Sequence, residues 1–197
     1  MFAAHFMPPV GTVFRFVTQG NVVVERTMTS ILAHPDYEGN PVYYPDVAVG
    51  VLDSDVPGTI AFAKILPAGW KDYFPPQSDY KKEPGVPMMV LDQEEKALVC
   101  NTGNISEAGP KPAPQTVYYD EPHDSVRAPF YEETISGDSG DPVFWVVDGE
   151  LVLLSVLTSS SNGSDIQAFT DDINTMMTTL GGGYQLTPID LSKYAST

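Results

Sequence analysis

The chain has little cysteine, histidine or positive charge. Of its 197 residues only Cys100 is cysteine. A single thiol excludes an intramolecular disulfide and a cysteine-rich zinc site. Cys100 sits in an apolar stretch and reads as an inert packed thiol. Ten Lys and Arg stand against 26 Asp and Glu, a formal net charge of −16. Such a chain repels polyanions, which excludes nucleic acid and anionic membrane surfaces as main partners. No apolar run approaches the roughly 18 residues that a membrane span requires. Met1-Phe2-Ala3-Ala4-His5 has neither the basic start nor the apolar run of roughly 7–15 residues that marks a signal peptide. The abrupt apolar opening suggests a segment upstream of Met1. A secretion signal would lie there, so the compartment is unknown, a secreted setting being one reading.

Turns and short apolar strands are abundant. Eighteen Pro and 16 Gly punctuate the sequence, with little room for helix. The length suits one domain or two small barrels sharing a core. Val13–Val17 and Val22–Arg26, separated by Thr18-Gln19-Gly20-Asn21, read as a hairpin. Asp46-Val47-Ala48-Val49-Gly50-Val51-Leu52 is an apolar strand opened by an acid. Pro75–Tyr80 reads as a loop between halves, dividing the chain into residues 1–75 and 76–197. Further strands are expected at Met88–Leu91, Ala97–Cys100, Thr116–Tyr119, Val143–Val147 and Leu151–Leu157, the last two joined by a tight Asp148-Gly149 turn. Asn162-Gly163-Ser164 reads as loop. One helix is expected at Asp171–Leu180, with Ile173, Met176, Met177 and Leu180 on one face and Gly181 as its stop. The tail from Gly181 to Thr197 fits no pattern. The expected fold is all-β, a sandwich or barrel.

The most informative segment is Ser136-Gly137-Asp138-Ser139-Gly140-Asp141-Pro142. Glycines on both sides of a serine permit a tight turn that exposes Oγ and gathers the N–H groups of Gly137 and Ser139 toward one point. Such donors can hold the oxyanion of an acyl-transfer intermediate. A serine hydroxyl needs a base to take its proton, and the base needs a third group to orient it. The chain has three histidines: His5, His34 and His123. His34, in His34-Pro35-Asp36-Tyr37, reads as structural, and His123, in a polar loop, as solvated. Asp46 is the natural acid, because it opens a buried strand and needs a hydrogen-bonding partner there.

Ala3-Ala4-His5, Asp46-Val47-Ala48 and Gly137-Asp138-Ser139-Gly140-Asp141-Pro142 resemble, in order and spacing, the motifs of the chymotrypsin/trypsin-like serine proteases. The resemblance covers residues 1 to about 180. It implies two Greek-key six-stranded-type β-barrels: residues 1–75 form the first, which carries His5 and Asp46. Residues 76–197 form the second, which carries Ser139, a short helix and the tail. It implies a serine endopeptidase that hydrolyses peptide bonds through an acyl-enzyme, with Ser139 as nucleophile, His5 as general base and acid, and Asp46 as orienting carboxylate. Gly137 and Ser139 would supply the oxyanion hole. Thr158 falls where the family supports its acid with a hydroxyl, and Thr158-Ser159-Ser160 would pair with the substrate backbone. Glu133 falls where trypsin-like members place the acid of the specificity pocket; the alternative is a solvated loop acid. No cofactor or metal is implied. The expected partner is a protein or peptide substrate, and the expected state is a monomer.

The chain departs from the pattern at four places. Phe6 replaces a cysteine. Asp141 replaces the second glycine after the nucleophile. Asp138 resembles the acid that pairs with a new N-terminus in activated zymogens, so it needs another partner here. Only four residues precede His5, where the family has several strands, so the first barrel would be incomplete at its N-terminus. That leaves a rival reading, a catalytically inactive binding module on the same fold. An α/β-hydrolase esterase fits less well, because its residue order and its many helices are missing.

Overall fold

The structure, a computed structural model, describes residues 1–41, 44–73, 87–94, 97–107, 115–122 and 124–194. It is mostly β, with one α-helix. The hairpin expected from the first apolar stretches is present. β1 (Val13–Val17) pairs antiparallel with β2 (Val23–Ala33), and Asn21 closes the turn at φ 57°. β2 runs beyond Arg26 because its second half pairs with β3 (Ala48–Leu52), giving a three-stranded sheet in the order β1-β2-β3.

Seven strands form the second sheet: β4 (Lys64–Ile65), β5 (Pro87–Leu91), β6 (Ala97–Glu107), β7 (Gln115–Asp120), β8 (Pro142–Val147), β9 (Glu150–Ser159) and β10 (Asn162–Asp165). Their order is β10-β7-β6-β5-β8-β9-β4. β10 also pairs with β9, so the pairings of six of these strands close into a barrel-like ring, to which β4 is added parallel to β9. Closure of this kind removes unpaired sheet edges. The Asp148-Gly149 turn between β8 and β9 has positive φ at both residues, 53° and 78°, as a type I′ hairpin requires.

β10 corrects the sequence expectation of a loop at Asn162-Gly163-Ser164. Its residues have little strand preference; its position is set by neighbours on both sides, β7 and β9. Gly163 is what admits it. A Cβ there would lie 2.0 Å from the Val156 carbonyl oxygen and 2.3 Å from Ser155 Oγ.

Two apolar clusters result. The ring encloses Met88, Val90, Val117, Val143, Trp145, Val152 and Leu154, with Trp70 edge-on to Trp145 at 5.4 Å. The second cluster joins Val47 and Val49 of the three-stranded side to Ile65, Val156, Ile166 and Phe169, and to Ile173 and Met176 of α1 (Thr170–Thr179). The helix therefore lies where the sequence placed it, within a residue at either end. Met177 and Leu180 pack at its margin, and Gly181 stops it at φ 78°. This second cluster ties residues far apart in the chain, so the expected halves interlock. β4, from the first half, adds to the second-half sheet, while α1, from the second, packs on β3.

The tail has a structural role that no sequence pattern indicated. The Ile65 N–H donates to the Thr187 carbonyl and the Ile189 N–H to Ile65, and Ile189 and Leu191 enter the ring core. The loop expected at Pro75–Tyr80, His123 and the last three residues lie outside the described residues. Cys100 sits opposite Met88 in the β5–β6 pairing, and its side chain lies outside what is described. Among the described residues no helix is long and apolar enough to cross a membrane.

Candidate active site

His5 lies in a single 3-10 turn, Ala4–Phe6, just after Phe2 has paired with Ala48. The Phe2 N–H donates to the Ala48 carbonyl at 2.9 Å and the Ala48 N–H returns to Phe2 at 2.8 Å. These two bonds anchor the start of the chain to β3, two residues beyond Asp46. Ala3 and Ala4 are buried, and their small side chains let this turn approach the serine segment. A Cβ on Gly140 would come within 3.5 Å of the Ala3 nitrogen.

Asp46 is 1% exposed, so its carboxylate must find donors within the protein. It has three. Oδ1 accepts the His5 backbone N–H at 2.8 Å. Oδ2 accepts the His5 Nδ1–H at 2.7 Å and the Thr158 hydroxyl at 2.8 Å. Asp46's own N–H donates to Ser164 Oγ at 3.1 Å. With its Nδ1 proton held by the carboxylate, the neutral His5 ring has a lone pair on Nε2, which accepts the Ser139 hydroxyl at 2.9 Å. Three side chains from distant parts of the sequence thus form one hydrogen-bonded line.

Ser139 is carried by a turn strapped to β9. The Gly140 N–H donates to the Leu157 carbonyl at 2.8 Å and the Leu157 N–H to Asp141 at 2.9 Å. Gly137 adopts φ 113° and Gly140 φ 91°, conformations that residues with a Cβ rarely adopt. Among the described residues, no group accepts from the N–H of Gly137 or of Ser139.

Asp138 is 2% exposed. Its Oδ2 accepts the Ile135 N–H at 2.7 Å, and its Oδ1 accepts the Gln93 backbone N–H at 3.3 Å and the Gln93 Nε2–H at 3.1 Å. The partner missing from the sequence pattern is therefore Gln93. No spacing signal connects a glutamine in one loop to an aspartate 45 residues on. Asp141 is in a harsher position. Burial, with Asp138 and Asp92 nearby, pushes its carboxyl up to about 6, and its buried Oδ2 has no hydrogen-bond partner among the described residues.

Beside Ser139 opens a cleft of about 300 Å³ lined by Thr134, Ile135, Ser136, Gly137, Asp138, Leu157, Ser159 and Ser160. The Thr134 hydroxyl donates to the Ser160 carbonyl at 2.8 Å across it. Ser159 and Ser160, from the segment expected to pair with substrate, line the cleft, and the Thr158 hydroxyl of that segment donates to Asp46. Glu133 is exposed and is not part of the lining. The neighbouring residue, Thr134, lines the cleft, and Asp138, whose carboxylate is occupied, is the only charged residue in the lining among the described residues. His34 is buried, its Nδ1 accepts the Asp36 N–H at 3.2 Å, and its ring lies edge-on to Phe169.

Asp92, Glu94 and Glu132 bring carboxylate oxygens within 4.8 Å of one another, the one such cluster of metal-ligating groups among the described residues. Solvent-facing acids often gather in this way, and the chemistry below does not use them. No protein-family model matches this chain, and no curated protein matches it.

Proposed function

We propose that this protein is a serine endopeptidase of the chymotrypsin/trypsin-like type, hydrolysing peptide bonds through an acyl-enzyme. The observation that carries the reading is the bonded line from Asp46 through His5 to Ser139, at 2.7 and 2.9 Å. A packing histidine has no need of a buried carboxylate on one ring nitrogen and a glycine-flanked serine on the other. The three-stranded sheet and the barrel-like ring are read as the two barrels of that fold, with three strands representing the first.

The chemistry follows the Ser-His-Asp template. Ser139 Oγ attacks the scissile carbonyl carbon as its proton passes to His5 Nε2. Asp46 stabilises the resulting imidazolium and stays ionised. The carbonyl oxygen becomes an oxyanion, which the N–H groups of Gly137 and Ser139 receive. The intermediate collapses, the C–N bond breaks, and His5 gives its proton to the leaving amine. Water then enters. His5 takes one of its protons, the hydroxide adds to the acyl carbon, and the ester bond to Oγ breaks. The carboxylic acid product leaves and Ser139 regains its proton.

A fluorophosphonate probe tests the nucleophile. Wild-type protein should label, Ser139→Ala should not, and His5→Ala should label at least about 100-fold more slowly. An unlabelled wild type, or undiminished labelling of Ser139→Ala, sinks the reading and favours the inactive binding module.

A further inference from the structure

We infer that Gln93 is a positioning residue that sets the direction of the Gly137 N–H, and so assembles the oxyanion site from within the chain. The inference rests on the peptidase reading and adds a residue to it.

The argument begins with one peptide plane. The Ser136 carbonyl and the Gly137 N–H belong to the same trans peptide and point in opposite directions. The Gln93 Nε2–H donates to the Ser136 oxygen at 3.0 Å. Holding that oxygen on the Gln93 side turns the Gly137 N–H to the other side of the plane. Without the donor, the plane is free to rotate about the soft torsions at Ser136 and Gly137. Gly137, at φ 113°, has no side chain to resist.

The amide of Gln93 also packs directly on Gly137. A Cβ at residue 137 would lie 2.6 Å from Gln93 Nε2. The same Nε2 donates to Asp138 Oδ1 at 3.1 Å, and the Gln93 backbone N–H adds a second bond at 3.3 Å. One side chain therefore ties down the residues on both sides of Gly137. It does so as a neutral donor, where the resemblance implies an ammonium group released by cleavage. Asp92 and Glu94 flank Gln93 in sequence and share a carboxylate cluster with Glu132.

Gln93→Ala and Gln93→Glu test this together. The glutamate variant keeps the shape of the side chain and replaces its donor with an acceptor, which separates hydrogen bonding from packing. Both should lower kcat by about 10–100-fold and leave KM within about two-fold, because the donor to the oxyanion acts on the transition state. The low-field proton signal of the His5 Nδ1–H should persist in both, showing the Asp46–His5 bond intact. Amide exchange at Ile135 and Asp138, whose N–H groups are hydrogen-bonded, should quicken in both. Wild-type kcat in either variant overturns the inference. So does a loss of activity in which the His5 signal also vanishes, since that would be general unfolding. If the wild type itself neither labels nor cleaves, the peptidase reading falls and amide exchange alone decides: faster exchange in both variants supports the role of Gln93, and unchanged exchange removes it.

Discussion

Thr158 and His5 share one oxygen atom of Asp46. The hydroxyl donates to Oδ2 from 2.8 Å and the ring nitrogen from 2.7 Å. β9 thus fixes the carboxylate that orients the imidazole, and Asp46 cannot turn without breaking both bonds. Thr158→Val keeps the shape and removes the donor, and should lower kcat about 10-fold with little change in KM. Hydrogen bonds to charged groups contribute on the order of 1.5–3 kcal/mol, and only part of that reaches the transition state. Thr158→Ser should retain most activity. Steady-state kinetics on both variants checks the pair, and equal losses would show that the hydroxyl is not what matters.

On the peptidase reading, the cleft beside Ser139 predicts the residue preferred before the scissile bond. Among the described residues its lining offers hydroxyls and backbone, and the one carboxylate there, Asp138, is already occupied by Gln93 and Ile135. A Lys or Arg side chain would enter without a counter-ion, which is costly in a partly dry site. In a peptide series varied at this position alone, neutral side chains should exceed Lys and Arg in kcat/KM by about 10-fold or more. Glu133→Gln should leave the order unchanged, since Glu133 faces solvent outside the lining. A basic preference abolished by that substitution would restore the pocket role that the resemblance gives to Glu133.

Asp141 makes stability depend on pH in an unusual direction. Its carboxyl titrates near 6 in the folded protein against 3.8 ordinarily. The folded state therefore holds the proton longer than the unfolded chain, and ionisation favours unfolding. The contribution of this group is fully present below about pH 4, is lost as pH rises to about 6, and is constant above that. Asp141→Asn should remove this slope and gain about 1 kcal/mol at pH 7, a figure reduced for the solvent that reaches the side chain. Urea unfolding of both proteins between about pH 4 and 7 measures the difference; parallel curves would contradict it.

Gly163→Ala should cost more than about 3 kcal/mol or prevent folding, because its Cβ would overlap the Val156 carbonyl at 2.0 Å. Backbone cannot retreat there without opening the β9–β10 pairing that closes the ring. Gly58→Ala, where a Cβ meets nothing within 4 Å, should stay within about 0.5 kcal/mol of wild type. Thermal or urea unfolding compares the two, and a mild effect at residue 163 would mean that β10 is not tightly held.

Much of this molecule was legible in local sequence. Val13–Val17, Val143–Val147 and Leu151–Leu157 declare themselves as strands because β-branched and aromatic residues recur between turn residues, and Asp148-Gly149 specifies its own hairpin through positive φ. The helix near Asp171–Leu180 follows from the spacing of four apolar residues and a terminal glycine. Ser139 and Asp46 stand out by residue chemistry, and the choice of His5 among three histidines comes from the resemblance of the three motifs, in order and spacing, to the chymotrypsin/trypsin-like proteases. All of these are statements about near neighbours, residue chemistry or motif order.

Tertiary structure decided the rest, for the opposite reason. Asn162–Asp165 is a strand only because β7 and β9 lie on either side of it. Ile189 and Leu191 became core only when the tail reached Ile65. Glu133 and Thr134 are adjacent in sequence, and only the path of the backbone determines which one faces the cleft. Gln93 meets Asp138 through two loops whose approach no periodicity records. Residue type and spacing encode what a segment prefers and what a side chain can do. Which groups meet across the fold depends on how the whole chain packs, and that is where the hydrogen-bonded line from Asp46 to Ser139 and the support behind Gly137 arise.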